Sequence, residues 1–398
     1  MIRLLRLGGL TMVVGCISGL LSLLFLHALQ WATDTRIGTP WLAWLLPIAG
    51  FIIGLTYLRF GAATVSGTTL VVEQSRSITD GIPTVMTPLI FSGATLGHLV
   101  GASVGREGVA LQMSGSMADT LGRFATLSRD DRRLLVVASL AAGFGGMFGV
   151  PVAGVLFALS VSHSRRPLAL VVSSMATACA WLTIRQLGYN HHQFPQLADP
   201  GWSASLLGKL IVLGILLGLV GRVYLVAVSA ASKLLAHSFR WLPVRTAVGG
   251  AATLVLIALV GRDYLGLSLP LAYDSMVGIR ADWFDPILKM LFTVVALASG
   301  FVGGEMVPLF VIGATSAAAL APILHLPIPL AAALGFGAVF AASSRTPAAG
   351  VALATELFGW SAFLPAGVVL AAARLSLGRS SLYSERGVVP AISATPIQ

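Results

Sequence analysis

The sequence predicts an all-α polytopic membrane protein, and three observations lead to that fold class. The 398 residues are 56% hydrophobic and only 10% charged, whereas soluble domains have about 25% charged residues. A spanning helix needs about 20 apolar residues, and several apolar stretches here are too short, or too interrupted by glycine and proline, to cross alone. We therefore expect many tilted, broken and partly spanning helices. The apolar stretches recur along the whole chain, at 7–31, 41–57, 86–104, 134–161, 167–182, 206–231, 247–260, 288–302 and 308–372.

The charge distribution predicts orientation rather than a nucleic-acid partner. The net charge is +10, but the charged residues stand mostly in short loops between apolar stretches, as at 123–133 and 165–166. Arg3 and Arg6 precede the first apolar stretch without an acidic residue, so we expect a cytoplasmic N-terminus and a retained first helix. The sequence thus predicts a multi-pass protein of the bacterial inner (plasma) membrane.

The reactive side chains give no pattern typical of an enzyme or a metal site. Cys16 and Cys179 both fall in apolar stretches, where cysteine behaves as a small hydrophobic residue. No histidine is followed by glutamate and no two glutamates are adjacent, so the zinc and paired-carboxylate motifs of an intramembrane protease are missing. We expect no enzyme activity, no metal and no cofactor.

The most informative motif is the run Gly-Arg-Glu-Gly at 105–108, between two apolar stretches. Ionisable residues at membrane depth tend to line ion or proton pathways. The flanking glycines let the backbone approach a ligand and leave amide N–H groups free at the start of a helix. Glu107 is therefore a candidate for a gate, and a carboxylate that caps a helix is the alternative.

The chain also contains two related halves. Residues 151–160 resemble 347–356, 143–145 correspond to 335–337, and 105–107 correspond to 303–305, in the same order. Chance similarity between glycine-rich and alanine-rich helices is the alternative. We predict one transmembrane domain with repeat 1 at about 40–190, repeat 2 at about 205–375 and a C-terminal segment at 376–398, without a soluble regulatory domain.

Glycine breaks at matched positions of the two halves predict a binding site near the middle of the membrane. The breaks at 66–68, 105–108 and 303–308 all precede predicted helices. Helix N-termini carry partial positive charge and unpaired N–H donors. The predicted substrate is therefore an anion.

These motifs resemble those of the CLC chloride channel and transporter family. Residues 105–108, followed by Val-Ala-Leu-Gln, resemble its GREG/GKEG signature, and Gly-Gly-Glu-Met-Val-Pro at 303–308 looks like its GGxFxP segment. Residues 143–160 resemble its helix pair ending in P-L-A-G-x-x-F-x-x-E, and Tyr383 stands where the family has a central tyrosine. The resemblance, from about residue 10 to the end, implies a CLC-like fold of two inverted-topology repeats and a homodimer with a pore in each subunit, for which 376–398 is the C-terminal pore segment.

Departures from the family pattern refine the prediction. Thr68 stands at the position of the serine in the family's GSGIP, Val109 replaces a common proline, and Glu305 replaces an apolar residue of GGxFxP. The family's internal proton-transfer glutamate is missing, since Ser-Val-Ser stands at 160–162. This set resembles the fluoride/proton antiporter branch, CLC-F, although Val307 stands where threonine is frequent there.

The resemblance to that branch implies a fluoride/proton antiporter that exports fluoride from the cytoplasm, with the anion and protons as its partners. A chloride/proton exchanger and a passive chloride channel are the alternatives. Arg106 as a loop brace, Tyr383 as an interfacial anchor and Glu305 as a structural hydrogen-bonding group also stay open. The predicted gating and proton-transfer residues are Glu107 and Glu305, and the predicted anion-binding residues are Thr68, Thr69, Arg106, Gly108, Val109, Met306, Val307 and Tyr383.

Overall fold

The computed structural model describes residues 1–280 and 282–383. These residues form sixteen α-helices and three short 3-10 helices, with no β-strand among them. The predicted pore segment at 376–398 lies outside the described residues beyond Tyr383. The first eight helices are α1 (Ile2–Gly38), α2 (Leu46–Phe60), α3 (Thr68–Arg76), α4 (Met86–Val100), α5 (Glu107–Phe124), α6 (Arg129–Phe148), α7 (Pro151–Val161) and α8 (Pro167–Gln186).

The second eight helices follow the first eight in similar order of length, and paired helices differ by at most five residues. The 37 residues of α1 compare with 35 in α9, the 9 of α3 with 8 in α11, and the 11 of α7 with 12 in α15. These helices are α9 (Ala204–Ser238), α10 (Leu242–Val260), α11 (Leu269–Met276), α12 (Phe284–Ser299), α13 (Met306–Leu324), α14 (Ile328–Ser343), α15 (Pro347–Phe358) and α16 (Phe363–Leu377).

Helix packing follows the same correspondence. The first and last helices of each half pack together, α1 with α8 and α9 with α16, and α5 packs on α6 as α13 packs on α14. Across the interface between the halves, α2 contacts its counterpart α10 and α7 contacts α15. The predicted all-α polytopic fold class with two repeats is confirmed. Because α1 has a counterpart in α9, we propose that repeat 1 begins with α1 rather than at about residue 40.

Helix lengths indicate which helices must tilt to fit the membrane and which are too short to cross it. At 1.5 Å per residue α1 is about 55 Å long, far more than the ~30 Å hydrocarbon core, so a helix of this length is accommodated by tilt. In contrast α7 and α15 are only about 16–18 Å long and cannot cross. Seven helical segments among the described residues are long and apolar enough to span a membrane.

The centre of the fold lies around α13. In its most apolar window 78% of the residues are buried, compared with 33–50% in the other candidate spans. Small residues permit this burial, because a Cβ added at Gly313 would lie only 2.1 Å from the Gly335 carbonyl oxygen of α14. Phenylalanines of both halves then pack together beside α13. Phe310 stacks on Phe336 with ring centroids 4.6 Å apart, and Phe144 stacks on Phe157 at 4.7 Å.

Candidate functional site

The starts of α5 and α13 meet at a reciprocal backbone bridge. The Gly105 N–H donates to the Gly304 carbonyl at 2.6 Å, and the Gly304 N–H donates to the Gly105 carbonyl at 2.8 Å. The two residues form an isolated antiparallel bridge, in which two chain segments exchange both hydrogen bonds. This bridge joins the matched segments of the two halves and holds the two helix N-termini side by side.

Glycine is required at this bridge because the backbones are too close for a side chain. A Cβ added at Gly105 would lie 2.8 Å from the Gly304 carbonyl oxygen, and one added at Gly304 would lie 2.6 Å from the Gly108 nitrogen. A Cβ at Gly108 would lie 2.7 Å from the Gly304 Cα. The Gly-Arg-Glu-Gly and Gly-Gly-Glu motifs therefore encode a close approach of two helix starts.

The helix starts leave amide donors free, as helix N-termini do. Within the described residues, the backbone N–H groups of Gly108, Met306 and Val307 donate no hydrogen bond to another backbone group. The Val109 N–H donates to the Arg106 carbonyl at 3.1 Å, and the Thr69 N–H donates to the Ser66 carbonyl at 3.0 Å. These two predicted anion-binding residues therefore use their amides inside their own first turns. The amides without a backbone acceptor belong to the residues just before them, Thr68 and Gly108.

Glu107 is fully buried at the first position of α5. Its Oε1 accepts a hydrogen bond from the Arg106 Nε at 3.1 Å. Its Oε2 is buried and has no hydrogen-bond partner among the described residues. The Arg106 guanidinium also lies over the Phe148 ring, 5.8 Å from its centroid. Arg106 is thus engaged with Glu107 and Phe148, which agrees with the bracing alternative, and the carboxylate keeps one acceptor oxygen free.

The start of α3 brings Thr68 to α5. Gly67 has φ +53°, a left-handed conformation that favours glycine, and this turn directs Thr68 towards the other chain segments. The Thr68 hydroxyl donates to the Gly108 carbonyl at 3.4 Å and accepts from the Gln112 Nε2 at 3.2 Å. Helices α3, α5 and α13 therefore begin at the three predicted breaks, and α3 and α5 are joined by side-chain hydrogen bonds.

A cavity of about 430 Å³ lies against these helix starts. The predicted site residues in its wall are Thr68, Thr69, Gly108, Glu305, Met306 and Tyr383. The predicted residues Arg106, Glu107, Val109 and Val307 are not part of this wall. The structure thus brings most of the predicted anion-binding positions to one space, and places the Arg106–Glu107 pair next to it.

Of the two predicted gating residues, Glu305 is the one that lines the cavity. It is only partly buried, and its Oε2 accepts a long hydrogen bond of 3.4 Å from the Tyr224 hydroxyl of α9. Tyr383 lines the same cavity and is edge-on to the Phe157 ring, with centroids 6.4 Å apart. Two carboxylates and two phenols, from four different chain segments, therefore surround the meeting point of α5 and α13.

Sequence reasoning missed several polar residues of this site. Tyr224, Gln112 and Glu73 are among them, and the last two line the cavity. Gln112 stands four residues after Gly108, one turn along the same helix face, so its spacing was a usable signal. In contrast, Tyr224 is a single tyrosine in a long apolar helix of the other half, and nothing in the sequence indicates its partner.

Glu356 has a structural role away from the site. Its two carboxylate oxygens accept from the backbone N–H groups of Val152 and Ala153 at 3.0 and 2.8 Å. An acidic side chain is favourable at a helix N-terminus, so α15 of one half caps α7 of the other. Among the described residues, no group of three or more His, Cys, Asp and Glu side chains could hold a metal ion.

Comparison with known proteins identifies the family. A family model described as voltage gated chloride channel matches residues 49–377, which is most of the chain. The chain belongs to the CLC family. This CLC protein is 36% identical over 401 residues to a chloride/fluoride channel protein of Pseudomonas syringae pv. tomato, covering 96% of this chain and 86% of the relative. It is 28% identical over 416 residues to the H(+)/Cl(-) exchange transporter ClcA of Cronobacter sakazakii, covering 94% of this chain and 88% of the relative.

Solved structures support the same family assignment. The CLC protein superimposes on the crystal structure of a CLC-type fluoride/proton antiporter with a TM-score of 0.91 and 30% identity, covering 96% of this chain and 98% of the other. A slow cyanobacterial Cl-/H+ antiporter shares the fold with a TM-score of 0.83 and 21% identity, covering 95% and 96% of the two chains. The recognition of the family and of its fluoride/proton antiporter branch as the most similar is confirmed.

Proposed function

We propose that this CLC protein is a fluoride/proton antiporter that exports fluoride from the cytoplasm. The observation that carries the proposal is Glu305, a carboxylate in the cavity wall at the start of α13. The Gly105–Gly304 backbone bridge joins this helix start to the start of α5, which carries Glu107. Support also comes from the 30% identical structure of a CLC-type fluoride/proton antiporter. Hydrogen fluoride enters cells as a neutral molecule and dissociates inside, so fluoride accumulates in the cytoplasm unless it is exported.

The site offers the donors that an unsolvated anion needs. Fluoride is smaller and more strongly hydrated than chloride, so a site selective for it must replace water with closely spaced donors. The free amides of Gly108 and Met306 and the Tyr383 hydroxyl supply such donors without a full positive charge. The Thr68 hydroxyl becomes a further donor when it turns from the Gly108 carbonyl towards the anion. Specificity is a difference of affinities, and these short-range donors favour the smaller ion.

Glu107 is proposed to be the gate. When ionised, its carboxylate competes with the anion for the N–H donors of the helix starts. When protonated, it no longer competes, and its free Oε2 becomes able to donate a hydrogen bond to an anion or to water. Each change of protonation then accompanies a change of anion occupancy, which is the coupling that exchange requires.

Glu305 is proposed to carry the proton or to hold fluoride next to the gate. The Tyr224 hydroxyl hydrogen-bonds to it, and Glu73 lines the same cavity on α3. Because residues 160–162 are Ser-Val-Ser, the route of the proton does not pass through a carboxylate there. Glu73 and Glu305, the carboxylates of the cavity wall, provide a different route for the proton between the solvent-facing end of the cavity and Glu107.

The proposed orientation places the open side of the cavity in the cytoplasm. The Arg3 guanidinium pairs with Asp131 at 2.7 Å, and Arg133, in the same helix turn as Asp131, donates to the Ser75 carbonyl at 3.0 Å. Helix α3 therefore runs from Thr68 in the cavity to the face that carries the N-terminus. This face is rich in arginine, which is typical of the cytoplasmic side. The arginines that contact residues of this face, or are neighbours of such residues in the sequence, are Arg3, Arg6, Arg76, Arg129, Arg132, Arg133 and Arg166.

A homodimer is proposed as the assembly, since the family resemblance implies one. Size-exclusion chromatography with light scattering of the purified protein in detergent measures it. A mass of two chains is expected after the detergent is subtracted, and a mass of one chain would contradict the proposal.

The transport experiment uses the purified protein in liposomes loaded with sodium fluoride or sodium chloride, with fluoride, chloride and pH electrodes outside. We expect an outward fluoride gradient to drive proton uptake against a proton gradient, and fluoride efflux to exceed chloride efflux. Chloride efflux as fast as fluoride efflux would refute fluoride selectivity and favour a chloride/proton exchanger, the activity named for the relative ClcA. Fluoride efflux without proton movement would show that the protein is a passive channel and not an exchanger.

A further inference from the structure

Arg245 is a buried cation that has no partner among the residues that the structure describes. It lies in the first turn of α10 and only 7% of it is exposed. Its guanidinium makes no hydrogen bond, ion pair or ring contact with any described residue, and its Nε is buried and unsatisfied. Burial of an unpaired charge is costly, and intramembrane arginines are normally paired with a carboxylate or with carbonyls.

The unpaired arginine lies in the wall of the same cavity as Glu305 and Tyr383. The cavity also contains Glu73, which makes no ion pair with Arg245. One terminal nitrogen of Arg245 lies 3.9 Å from where a Cβ would stand at Gly300, the residue that ends α12. Arg245 is thus close to the chain segment that leads from α12 to Glu305.

A second unsatisfied group from another helix points to the same conclusion. Ser232 of α9 is 3% exposed, lines the cavity, and has a buried hydroxyl without a hydrogen-bond partner among the described residues. Buried polar groups are rarely left without partners unless a water, an ion or a ligand satisfies them. A guanidinium and a hydroxyl together present donors to the cavity, and donors of this kind bind an anion.

We propose that Arg245 and Ser232 form a second anion-binding site in the cavity, separate from the helix starts at Gly108 and Met306. The site takes a small inorganic anion. In the orientation proposed above, this site lies on the cytoplasmic side. That the anion it binds is the transported one rests on the proposed function. A positive charge there raises the local concentration of anions entering the pathway and offsets the negative charges of Glu73 and Glu305.

The alternative is that Arg245 only braces the end of α12. A cation near a helix C-terminus is favourable, and that role would hold the fold without binding an anion. Arg245→Met keeps much of the side-chain volume and removes the charge, whereas Arg245→Lys keeps the charge and loses the planar set of donors. Arg36→Met is the matched control, because Arg36 also has a buried Nε without a partner but does not line the cavity.

The first experiment is isothermal titration of sodium fluoride and sodium chloride into the purified proteins in gluconate buffer. We expect Arg245→Met to weaken anion binding by about tenfold, the loss of one hydrogen bond to a charged group. Arg245→Lys should recover most of that affinity, and Arg36→Met should bind like the parent. Parent-like binding by Arg245→Met would overturn the proposal and leave the bracing role.

The second experiment measures fluoride efflux from liposomes at increasing internal fluoride concentrations. Arg245→Met should raise the half-saturating concentration by about tenfold while the maximal rate stays close to that of the parent. If Arg245→Met does not elute as a folded protein, Ser232→Ala takes its place, and unchanged anion affinity in it would overturn the site. A parent that binds the anion but transports none would refute the proposed function and leave the binding site intact.

Discussion

Replacing Gly304 by alanine would place a methyl group between the starts of α5 and α13. The added Cβ would lie 2.6 Å from the Gly108 nitrogen and 3.1 Å from the Gly108 Cα. Both are backbone atoms, so no side-chain rotation relieves the clash. A Cβ atom is in ordinary van der Waals contact at 3.4 Å or more from a neighbouring heavy atom. Because the added Cβ would lie only 2.6 Å from the Gly108 nitrogen, the two helix starts would have to separate by about 0.8 Å.

The energetic cost combines two terms. Overpacking of a rigid interior costs about 1–3 kcal/mol, and weakening the reciprocal hydrogen bonds between Gly105 and Gly304 adds about 1 kcal/mol. We therefore expect Gly304→Ala to destabilise the fold by about 2–4 kcal/mol. Transport should fall by more than tenfold, because the free amides of the two helix starts no longer face one space.

The measurements are thermal unfolding of the purified protein in detergent and fluoride efflux from liposomes. Gly208→Ala is the control, since Gly208 is exposed on α9 and a Cβ there would meet nothing within 4 Å. Alanine is favoured over glycine inside a helix by about 1 kcal/mol, so the control should be slightly stabilised and fully active. Parent-like stability and efflux in Gly304→Ala would refute the argument that this bridge sets the site geometry.

Four further outcomes are expected. Glu107→Gln mimics the protonated gate permanently and should abolish proton transport, so proton pumping driven by fluoride in that variant would remove Glu107 from the mechanism. Glu305→Gln should reduce exchange but leave folding and dimerisation intact, and parent-like exchange rates would favour a structural role. Tyr224→Phe removes the hydrogen bond to Glu305 and should shift the pH dependence of exchange without unfolding the protein, whereas an unchanged pH profile would separate Tyr224 from the pathway. The hydrogen bonds from Arg3 lower the pKa of Asp131 below its ordinary value of 3.8, so their stabilisation is present above that value and is lost as the pH falls through the lowered pKa. Asp131→Asn should therefore be less stable than the parent at neutral pH, and thermal unfolding in acid should show the difference shrinking.

The sequence predicted the fold class because lipid imposes strong rules on composition. A chain with 56% hydrophobic residues and recurring apolar stretches has to satisfy its backbone in helices. The glycine motifs also predicted where helices start, and α3, α5 and α13 begin at Thr68, Glu107 and Met306. The first repeat was harder to delimit, because α1 and α9 share length and packing but no legible motif.

Part of the candidate site was also readable from sequence. Glu305 was a candidate because it replaces an apolar residue in the motif at 303–308. The structure places it in the cavity wall together with Thr68 and Tyr383. The amides of Thr69 and Val109 were expected to be free, yet both are used in their own turns. Which amide of a helix start stays free depends on turn geometry, and residue type does not specify that geometry.

Local properties of the sequence, namely apolar length, motif repetition and glycine breaks, were enough to predict a membrane protein with two related halves and an anion as its substrate. Which distant residues meet became visible in the folded chain alone. The bridge between Gly105 and Gly304 and the contact of Tyr224 with Glu305 join segments far apart in the chain. The cavity that contains Arg245, which has no partner among the described residues, is also built from distant segments. Such contacts arise from the packing of one half against the other, and no local pattern encodes them.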